Sequence, residues 1–387
     1  MVGDGPGDGQ YRAEISGTCD ERFAGVRDAL AANLASGADV GASVAVTVGG
    51  EMVVDLWGGW TDEERTEIWQ RDTIVNVWST TKTMTALCAL MLADRGDLDF
   101  DAPVARYWPE FAAGGKGRVE VRHLMSHSSG LSGWDAPLNV EDLYDWDKIT
   151  SLCAAQEPWW EPGTRSGYHA VSQGYLVGEV VRRITGQTLG TFFAEQLADP
   201  LEAAFFVGTP PSEDRWVARV LPPPGTLAEG TQPGSIAWRT LSNPEVHAEA
   251  SWAPAWRRAE IPAAGGHGNA RSVAQVQSVL ACAGTVAGRR FLSETGCAKV
   301  FGEQTNGTDL VLGVPLRFGI GYGLGTADTP LAPRACYWGG WGGSLVIVDL
   351  DARLTVAYVM NRMAASRLDD KRGASIAAAA YAGLLPS

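Results

Sequence analysis

The chain has 387 residues, of which 45% are hydrophobic and 20% are charged, and its formal net charge is −14 at pH 7. This composition is ordinary for a globular protein with enough apolar material for one large or two medium domains. The acidic balance argues against a nucleic-acid backbone or an anionic membrane surface as a partner.

The cysteines and the first residues indicate where the protein resides. Six cysteines are scattered without a CxxC pair, which is typical of free buried thiols in a reducing compartment. The first residues, MVGDGPGDGQYRAE, have neither the basic nor the apolar region of a signal peptide. No apolar run is long enough for a transmembrane helix. The sequence therefore predicts a cytoplasmic protein.

The N-terminal part of the chain predicts one helix and a hairpin. Residues 1–18 are rich in Gly and Asp and are expected to be disordered or loosely attached. Residues 20–36 have the apolar spacing of an amphipathic helix. Two strand-like runs follow, GASVAVTV and EMVVDLWG, and the residues between them, Gly49-Gly50, favour a hairpin turn.

The run VNVWSTTKTMTALCALMLADRG places a lysine near the start of an apolar helix that ends at Gly96. Burial and the positive end of the helix dipole both disfavour a charge on Lys82. Ser79 lies three residues earlier, on the same helix face. A lysine amine with a lowered pKa can act as the base that a serine hydroxyl needs to become a nucleophile.

The middle of the chain alternates helical patterns with loops rich in Pro and Gly. The run SQGYLVGEVVRRITG predicts an amphipathic helix that stops at Gly186. Residues 205–262 are rich in Pro and Trp and predict long ordered loops, with a lid over the site as one interpretation. At least two of the tryptophans between positions 134 and 256 are candidates for lining an apolar cleft.

The C-terminal part returns to a helix, SVAQVQSVLACAG, followed by strand-like runs at 316–320, 334–338, 345–349 and 354–360 and a helix at 373–385. This order predicts an α+β fold in which one antiparallel sheet is built from both chain ends and flanked by helices. The expected α/β domain comprises residues 1–96 and 268–387, and a mostly helical domain with long loops, residues 97–267, is inserted into it.

Three short motifs together resemble the serine β-lactamase and penicillin-binding-protein superfamily, and most of all the class C β-lactamase-like family VIII carboxylesterases. Ser79-Thr80-Thr81-Lys82 matches the Ser-x-x-Lys motif, and Tyr168 matches the tyrosine of the Tyr-x-Asn motif. Trp338-Gly339-Gly340 matches the position of the Lys-Thr-Gly motif. The resemblance extends from about residue 20 to the C-terminus and implies a β-lactamase/transpeptidase-like fold.

Two departures from the motifs indicate the substrate. Trp338 replaces the lysine that would help to bind the carboxylate of a β-lactam, and an indole favours neutral, apolar groups instead. Ala170 replaces the asparagine of the second motif, which removes a contact to a substrate amide. The resemblance therefore implies a serine carboxylesterase that hydrolyses short-chain acyl esters through an acyl-enzyme, with a small-molecule ester as its partner.

The resemblance also assigns roles to individual residues. Ser79 is the expected nucleophile, and Lys82 and Tyr168 act as general base and acid, with the order of their roles left open. The backbone N–H groups of Ser79 and Trp341 are expected to form the oxyanion hole. The expected substrate-binding residues are Trp338, Gly339, Gly340 and His169. We expect no cofactor and no metal.

Other chemistries have weaker support in the sequence. No serine has glycine two positions before and after it, as an α/β-hydrolase nucleophile would. His123 and His127 have zinc-helix spacing without the accompanying glutamate, and GIGYGLG is not a dinucleotide fingerprint. The alternatives left open are a β-lactamase or D-amino-acid peptidase, an amide hydrolase or acyltransferase of the same fold, and an inactive binding descendant. The oligomeric state is not predicted.

Overall fold

The computed structural model describes residues 14–365 and 370–385. The helices of this part of the chain are α1 (Ala24–Ala35), α2 (Thr81–Arg95), α3 (Val121–Met125), α4 (Trp146–Ala155), α5 (Ser172–Thr185), α6 (Leu189–Phe193), α7 (Ile236–Leu241), α8 (Pro254–Arg258), α9 (Ala270–Ala281), α10 (Glu294–Ala298) and α11 (Lys371–Ala382). The strands are β1 (Ile15–Cys19), β2 (Gly41–Val48), β3 (Glu51–Gly59), β4 (Val75–Asn76), β5 (His267–Gly268), β6 (Thr285–Val286), β7 (Arg289–Arg290), β8 (Thr305–Thr308), β9 (Pro315–Phe318), β10 (Gly323–Leu324), β11 (Ala335–Gly339), β12 (Leu345–Asp349) and β13 (Leu354–Met360). Shorter 3₁₀ or π segments are Glu21–Phe23, Trp78–Thr80, Val104–Arg106, Pro109–Ala112, Val140–Tyr144, Ala194–Ala198, Asp199–Leu201, Pro211–Trp216, Ala248–Trp252 and Lys299–Phe301.

One antiparallel sheet organises the fold, and within the described residues its nine strands have the order β1-β3-β2-β13-β12-β11-β10-β9-β8. The central pairing joins β2 to β13, so the two ends of the chain meet in the middle of the sheet. Helix α9 covers the face that carries Ser43, and α11 covers the opposite face, where Tyr358 points. Because both faces are covered, β13 is buried along its whole length.

The structure confirms the predicted fold class and most of the predicted elements. The Gly49-Gly50 turn has positive φ at both positions, as a tight hairpin requires. Gly96 and Gly186 end α2 and α5 in the left-handed conformation. The expectation of disorder over residues 1–18 is wrong for residues 15–18, which belong to edge strand β1, and residues 1–13 lie outside the described part.

Residues 97–267 supply helices α3 to α8, and β5 at the end of this range pairs with β4 outside the main sheet. Helix α2 contacts α5 and α6 of this segment and also α9, so the Ser-x-x-Lys helix lies between the sheet and the helical segment. The division into domains at residues 97 and 267 stays a prediction. Residues 205–262 contain α7, α8 and two 3₁₀ turns joined by loops.

Asn361, directly after β13, fixes the end of the central strands. Its side chain accepts a hydrogen bond from the Gly41 N–H (2.9 Å) and donates one to the Trp60 carbonyl (2.9 Å). We expect Asn361→Ala to lower the free energy of unfolding by about 2–3 kcal/mol, because buried backbone groups lose their partners. Urea denaturation measures this change.

Asn306→Ala on β8 is the control, since Asn306 is exposed, and it is expected to change the free energy of unfolding by less than about 0.5 kcal/mol. Equal urea midpoints for the two variants would show that the Asn361 contacts contribute nothing to stability.

Candidate active site

Ser79 lies in the 3₁₀ turn Trp78–Thr80 that leads into α2. The preceding residue, Trp78, has φ = 50°, a conformation that is strained for a bulky side chain. Its ring packs between the rings of Trp256 (centroids 5.6 Å apart) and Trp341 (5.0 Å). This aromatic packing holds the strained turn that presents Ser79 at the start of the helix.

Lys82 is buried and its amine reaches the Ser79 hydroxyl, with 3.1 Å between Nζ and Oγ. The amine also donates to the carbonyl oxygens of Ala170 (2.7 Å) and Ala263 (2.9 Å). Burial lowers the pKa of Lys82 well below its ordinary value of 10.5. No salt-bridge partner for Lys82 occurs in the described chain.

Tyr168 lies in the loop before α5, and its hydroxyl donates a hydrogen bond to Ser79 Oγ at 2.6 Å. Burial raises its pKa above the ordinary value of 10.0, so Tyr168 is a neutral phenol near neutral pH. The Lys82 amine lies 4.8 Å from the centre of its ring. The structure thus brings together the three residues for which the sequence predicts catalysis.

Asp309, which the sequence analysis missed, fixes the backbone of Tyr168. Its Oδ1 accepts hydrogen bonds from the N–H groups of Tyr168 (3.0 Å), Val311 (2.9 Å) and Leu312 (2.9 Å). The side chain is buried, and its other oxygen has no partner among the described residues. Asp309 is 141 positions from Tyr168 in sequence, so no local pattern could have identified it.

The backbone N–H groups of Ser79 and Trp341 have no hydrogen-bond partner in the part of the chain that the structure describes. Ser344 connects the segments that carry them, because its hydroxyl donates to the Val77 carbonyl (2.8 Å) and lies 2.9 Å from Thr80 Oγ1. A Cβ at Gly340 would lie 2.1 Å from the Val77 oxygen, so this close approach requires glycine. The two donors without a partner among the described residues thus belong to segments that Ser344 joins, and both Ser79 and Trp341 line one cavity.

A cavity of about 660 Å³ opens beside Ser79. Tyr168, Trp338, Gly339, Gly340 and Trp341 line it. The rest of its wall is mainly aliphatic and aromatic, including Leu227, Leu241, Val246, Leu312, Val314, Leu316, Leu331, Leu345, Ile347, Trp78 and Trp256. Its described lining contains no Lys, Arg or His, and its only carboxylates are Asp328 and Asp370.

Two predictions about the cavity wall are corrected. His169 does not line the cavity, because its fully buried ring contacts Ser129 Oγ (2.7 Å) and the Gly167 carbonyl (2.6 Å). Among the described residues, Trp256 is the only tryptophan between positions 134 and 256 on the wall. The other tryptophans of the wall are Trp78, which directly precedes Ser79, Trp338 on β11 and Trp341 in the turn after β11.

The buried ring of His127 packs against the ring of Tyr168. Its ring lies 4.8 Å from the ring of Tyr168, and its Nδ1 accepts a hydrogen bond from the His169 N–H (3.1 Å). Burial holds the pKa of His127 well below its usual 6.5. The neutral, buried ring therefore packs as a structural group.

The profile of the family described as Beta-lactamase matches residues 26–381. The chain belongs to this family. It is 34% identical to the Esterase/beta-lactamase LipL of Mycobacterium tuberculosis, over 93% of this chain and 85% of that protein. It is 29% identical to the Esterase EstB of Burkholderia gladioli, over 83% of this chain and 86% of that protein.

The comparison with solved structures agrees with this family. The crystal structure of a family VIII carboxylesterase superposes with a TM-score of 0.90 and 43% identity, over 95% of this chain and 99% of that chain. The resemblance predicted from the three motifs is therefore confirmed. Among the described residues, none of the helices is long and apolar enough to cross a membrane, and no group of three or more His, Cys, Asp or Glu could hold a metal ion.

We expect Asp309→Ala to slow the labelling of Ser79 by a fluorophosphonate about 10²-fold, because a loosened Tyr168 no longer meets the hydroxyl in a reactive geometry. Mass spectrometry of the labelled peptide over time measures the rate.

The matched control is Asp349→Ala. Asp349 is also buried and accepts two backbone N–H bonds in the turn that follows it, from Asp351 (3.0 Å) and Ala352 (2.9 Å). It is expected to lose stability while keeping the wild-type labelling rate. A wild-type rate of Ser79 labelling in folded Asp309→Ala would show that Asp309 does not position Tyr168.

Proposed function

We propose that the protein is a serine carboxylesterase that hydrolyses neutral, short-chain acyl esters through an acyl-enzyme on Ser79. The observation that carries the proposal is the continuous hydrogen-bonded group Tyr168–Ser79–Lys82 at the wall of an apolar cavity. The printed names of LipL and EstB, both esterases, support the same reaction class.

A comparison of the N–H groups of Lys82 with their acceptors supports Lys82 as the base in the acylation step. A protonated Lys82 amine donates to Ser79 Oγ and to the carbonyls of Ala170 and Ala263. The neutral amine has two N–H groups, which the two carbonyls accept, and one lone pair, which is then available to the Ser79 hydroxyl 3.1 Å away. Tyr168 donates its own proton to Ser79 Oγ. Each proton thus has one acceptor, and the serine O–H is directed to the amine.

In the acylation step, Ser79 Oγ bonds to the ester carbonyl carbon while its proton moves to Lys82. The resulting oxyanion accepts hydrogen bonds from the N–H groups of Ser79 and Trp341. The bond to the alcohol oxygen then breaks, Tyr168 gives that oxygen its proton, and Lys82 returns a proton to Tyr168. In deacylation a water molecule replaces the alcohol and the same transfers run in reverse.

The charge of the cavity supports neutral substrates. Since the lining described has no cation and two carboxylates, an anionic group such as the carboxylate of a β-lactam gains no attraction there. Trp338 contributes an apolar ring at the position where the family motif has lysine. An ester with apolar acyl and alcohol parts meets a wall of matching polarity.

We further propose that the protein works in the cytoplasm on small molecules, without nucleic acid or membrane as a partner. All six cysteines are unpaired, which fits a reducing compartment. The net charge of −14 would repel a nucleic-acid backbone or an anionic membrane.

The decisive test is hydrolysis of aryl acetate and butyrate by wild type and Ser79→Ala. We expect a burst of phenol in wild type, because acylation releases the alcohol before the acyl-enzyme is hydrolysed, and no turnover in the variant. Absorbance in a stopped-flow instrument records both phases.

Ser212→Ala, on an exposed 3₁₀ turn, serves as the control and is expected to keep the burst. A chromogenic cephalosporin is assayed in parallel. Faster turnover of the cephalosporin than of either ester would favour a β-lactamase, and ester turnover that survives Ser79→Ala would contradict the mechanism.

The pH dependence tests the identity of the base. Burial lowers the pKa of Lys82, and only the neutral amine accepts a proton, so kcat/KM should rise with pH and level off well below 10.5. The raised pKa of Tyr168 keeps its proton in place over the same range. Initial rates of butyrate hydrolysis across the pH range where the protein stays folded give the profile.

Tyr168→Phe is expected to lower the plateau about 10²–10⁴-fold and to leave the inflection unchanged, because it removes the acid and not the base. An inflection that disappears in Tyr168→Phe would instead assign the titrating base to Tyr168.

A further inference from the structure

A tight turn presents the Trp341 N–H that is assigned above to the oxyanion hole. The Gly340 N–H donates to the Ser344 carbonyl (2.8 Å), and the Gly343 N–H donates to the Gly340 carbonyl (3.1 Å). Trp341 and Gly342 are the two central residues of this turn. The Trp341 N–H and the Gly340 carbonyl belong to one peptide unit, and the Gly342 carbonyl and the Gly343 N–H belong to another. The hydrogen bond from the Gly343 N–H to the Gly340 carbonyl joins the two units, so whatever holds the Gly342 carbonyl also restrains the peptide that carries the donor.

Arg372, near the start of α11, holds that carbonyl. Its Nη2 donates to the Gly342 oxygen at 2.8 Å, and the Ala364 N–H donates to the same oxygen at 2.8 Å. A Cβ at Gly343 would lie 2.7 Å from Arg372 Nη2 and 1.9 Å from Asp370 Oδ2. The guanidinium and its carboxylate partner are thus packed directly against the turn.

The Arg372 guanidinium is itself held in place by hydrogen bonds from all three of its nitrogen atoms. Its Nη1 donates to Asp39 Oδ1 (2.8 Å) and to the carbonyls of Ala38 (2.9 Å) and Arg362 (2.8 Å). Asp370 accepts from Nε (3.0 Å) and Nη2 (2.6 Å). The Arg372 side chain is 8% exposed and that of Asp39 is 0% exposed. Such buried, branched hydrogen bonding suits the planar fork of arginine and no other side chain.

We propose that Arg372, held by Asp39, is a positioning residue that fixes the Gly340–Gly343 turn and so aims the Trp341 N–H at the developing oxyanion. The proposal rests on the proposed function, because it assigns Arg372 to the reaction of the same site. Arg372 does not line the cavity and contacts no reacting atom. Its hydrogen bond to the turn is the one that the Gly342 carbonyl accepts.

Ser344 holds the same turn from the opposite side through its bond to the Val77 carbonyl. The turn thus lies between a contact to the nucleophile segment and a contact to α11. Loss of the α11 contact leaves the Gly342 carbonyl with the Ala364 N–H as its one remaining partner among the described residues, so the turn is held less firmly and the donor is aimed less accurately. Misplacement of an oxyanion donor affects the transition state more than it affects substrate binding.

The test is Arg372→Lys, whose single ammonium cannot reach Asp39, Asp370 and Gly342 together. We expect kcat for aryl butyrate to fall about 10–100-fold while KM changes less than about 3-fold, as for partial loss of one oxyanion donor. An alkylboronic acid, which forms a tetrahedral adduct with Ser79, should bind more weakly by a similar factor. Thermal unfolding and circular dichroism verify that the variant is folded.

Arg271→Lys is the matched control. Arg271 is also paired with two carboxylates, Asp55 (3.3 Å) and Asp72 (2.7 Å), and its side chain is 12% exposed, but it lies on α9 away from the turn. It should lose stability and keep kcat and boronate affinity. Asp39→Asn, which retains the side-chain volume, is the second test variant and should shift kcat and boronate affinity in the same direction as Arg372→Lys, by a smaller factor.

The outcomes separate this proposal from the proposed function. Wild-type kcat and boronate affinity in folded Arg372→Lys, or in folded Asp39→Asn if the first variant does not fold, overturn the positioning role. An equal loss in Arg271→Lys also overturns it, because the effect would then follow stability. If wild type hydrolyses no ester, the proposed function fails, while boronate binding to Ser79 still measures the aim of the donor.

Discussion

A buried lysine that has no counter-ion among the described residues is the constraint on which the site depends. Lys82 is placed among apolar residues and is bound to two carbonyl oxygens and the Ser79 hydroxyl. Adding a carboxylate neighbour would stabilise the ammonium and remove the base. The burial that lowers the pKa of the amine occurs beside a cavity whose described lining is mostly apolar and contains no cation. Proton acceptance and the proposed preference for neutral esters thus have one physical origin, the low polarity of this region.

The features that the sequence predicted are those carried by local spacing. Ser79 and Lys82 are three positions apart on one helix, so their contact follows from helix geometry. The hairpin at Gly49-Gly50 and the stops at Gly96 and Gly186 follow from residues that tolerate positive φ. The order of helices and strands was sufficient for the fold class, because an antiparallel sheet built from both chain ends leaves a long segment between them.

The features that escaped prediction depend on contacts between distant segments. Asp309 and Arg372 act on turns far away in sequence, and neither belongs to a motif. Strand β1 has three exposed residues of five and is ordered by its pairing with β3, so its own pattern is weak. His169 was chosen for its position beside Tyr168, but neighbouring residues in an extended loop point in different directions, and its ring is directed into the protein.

The pairing of β2 with β13 has a consequence for synthesis of the protein. The Gly41 N–H and its Asn361 acceptor are 320 positions apart. At ribosomal speeds of about 5–20 residues per second, the partner strand emerges roughly 15–60 s after β2. During that time β2 and β3 have an unpaired apolar edge, the place where an unfinished chain aggregates or binds a chaperone. The turn that carries Trp341 is synthesised in the same late part of the chain. A nascent or truncated chain that lacks this turn therefore contains Ser79 but not the complete site.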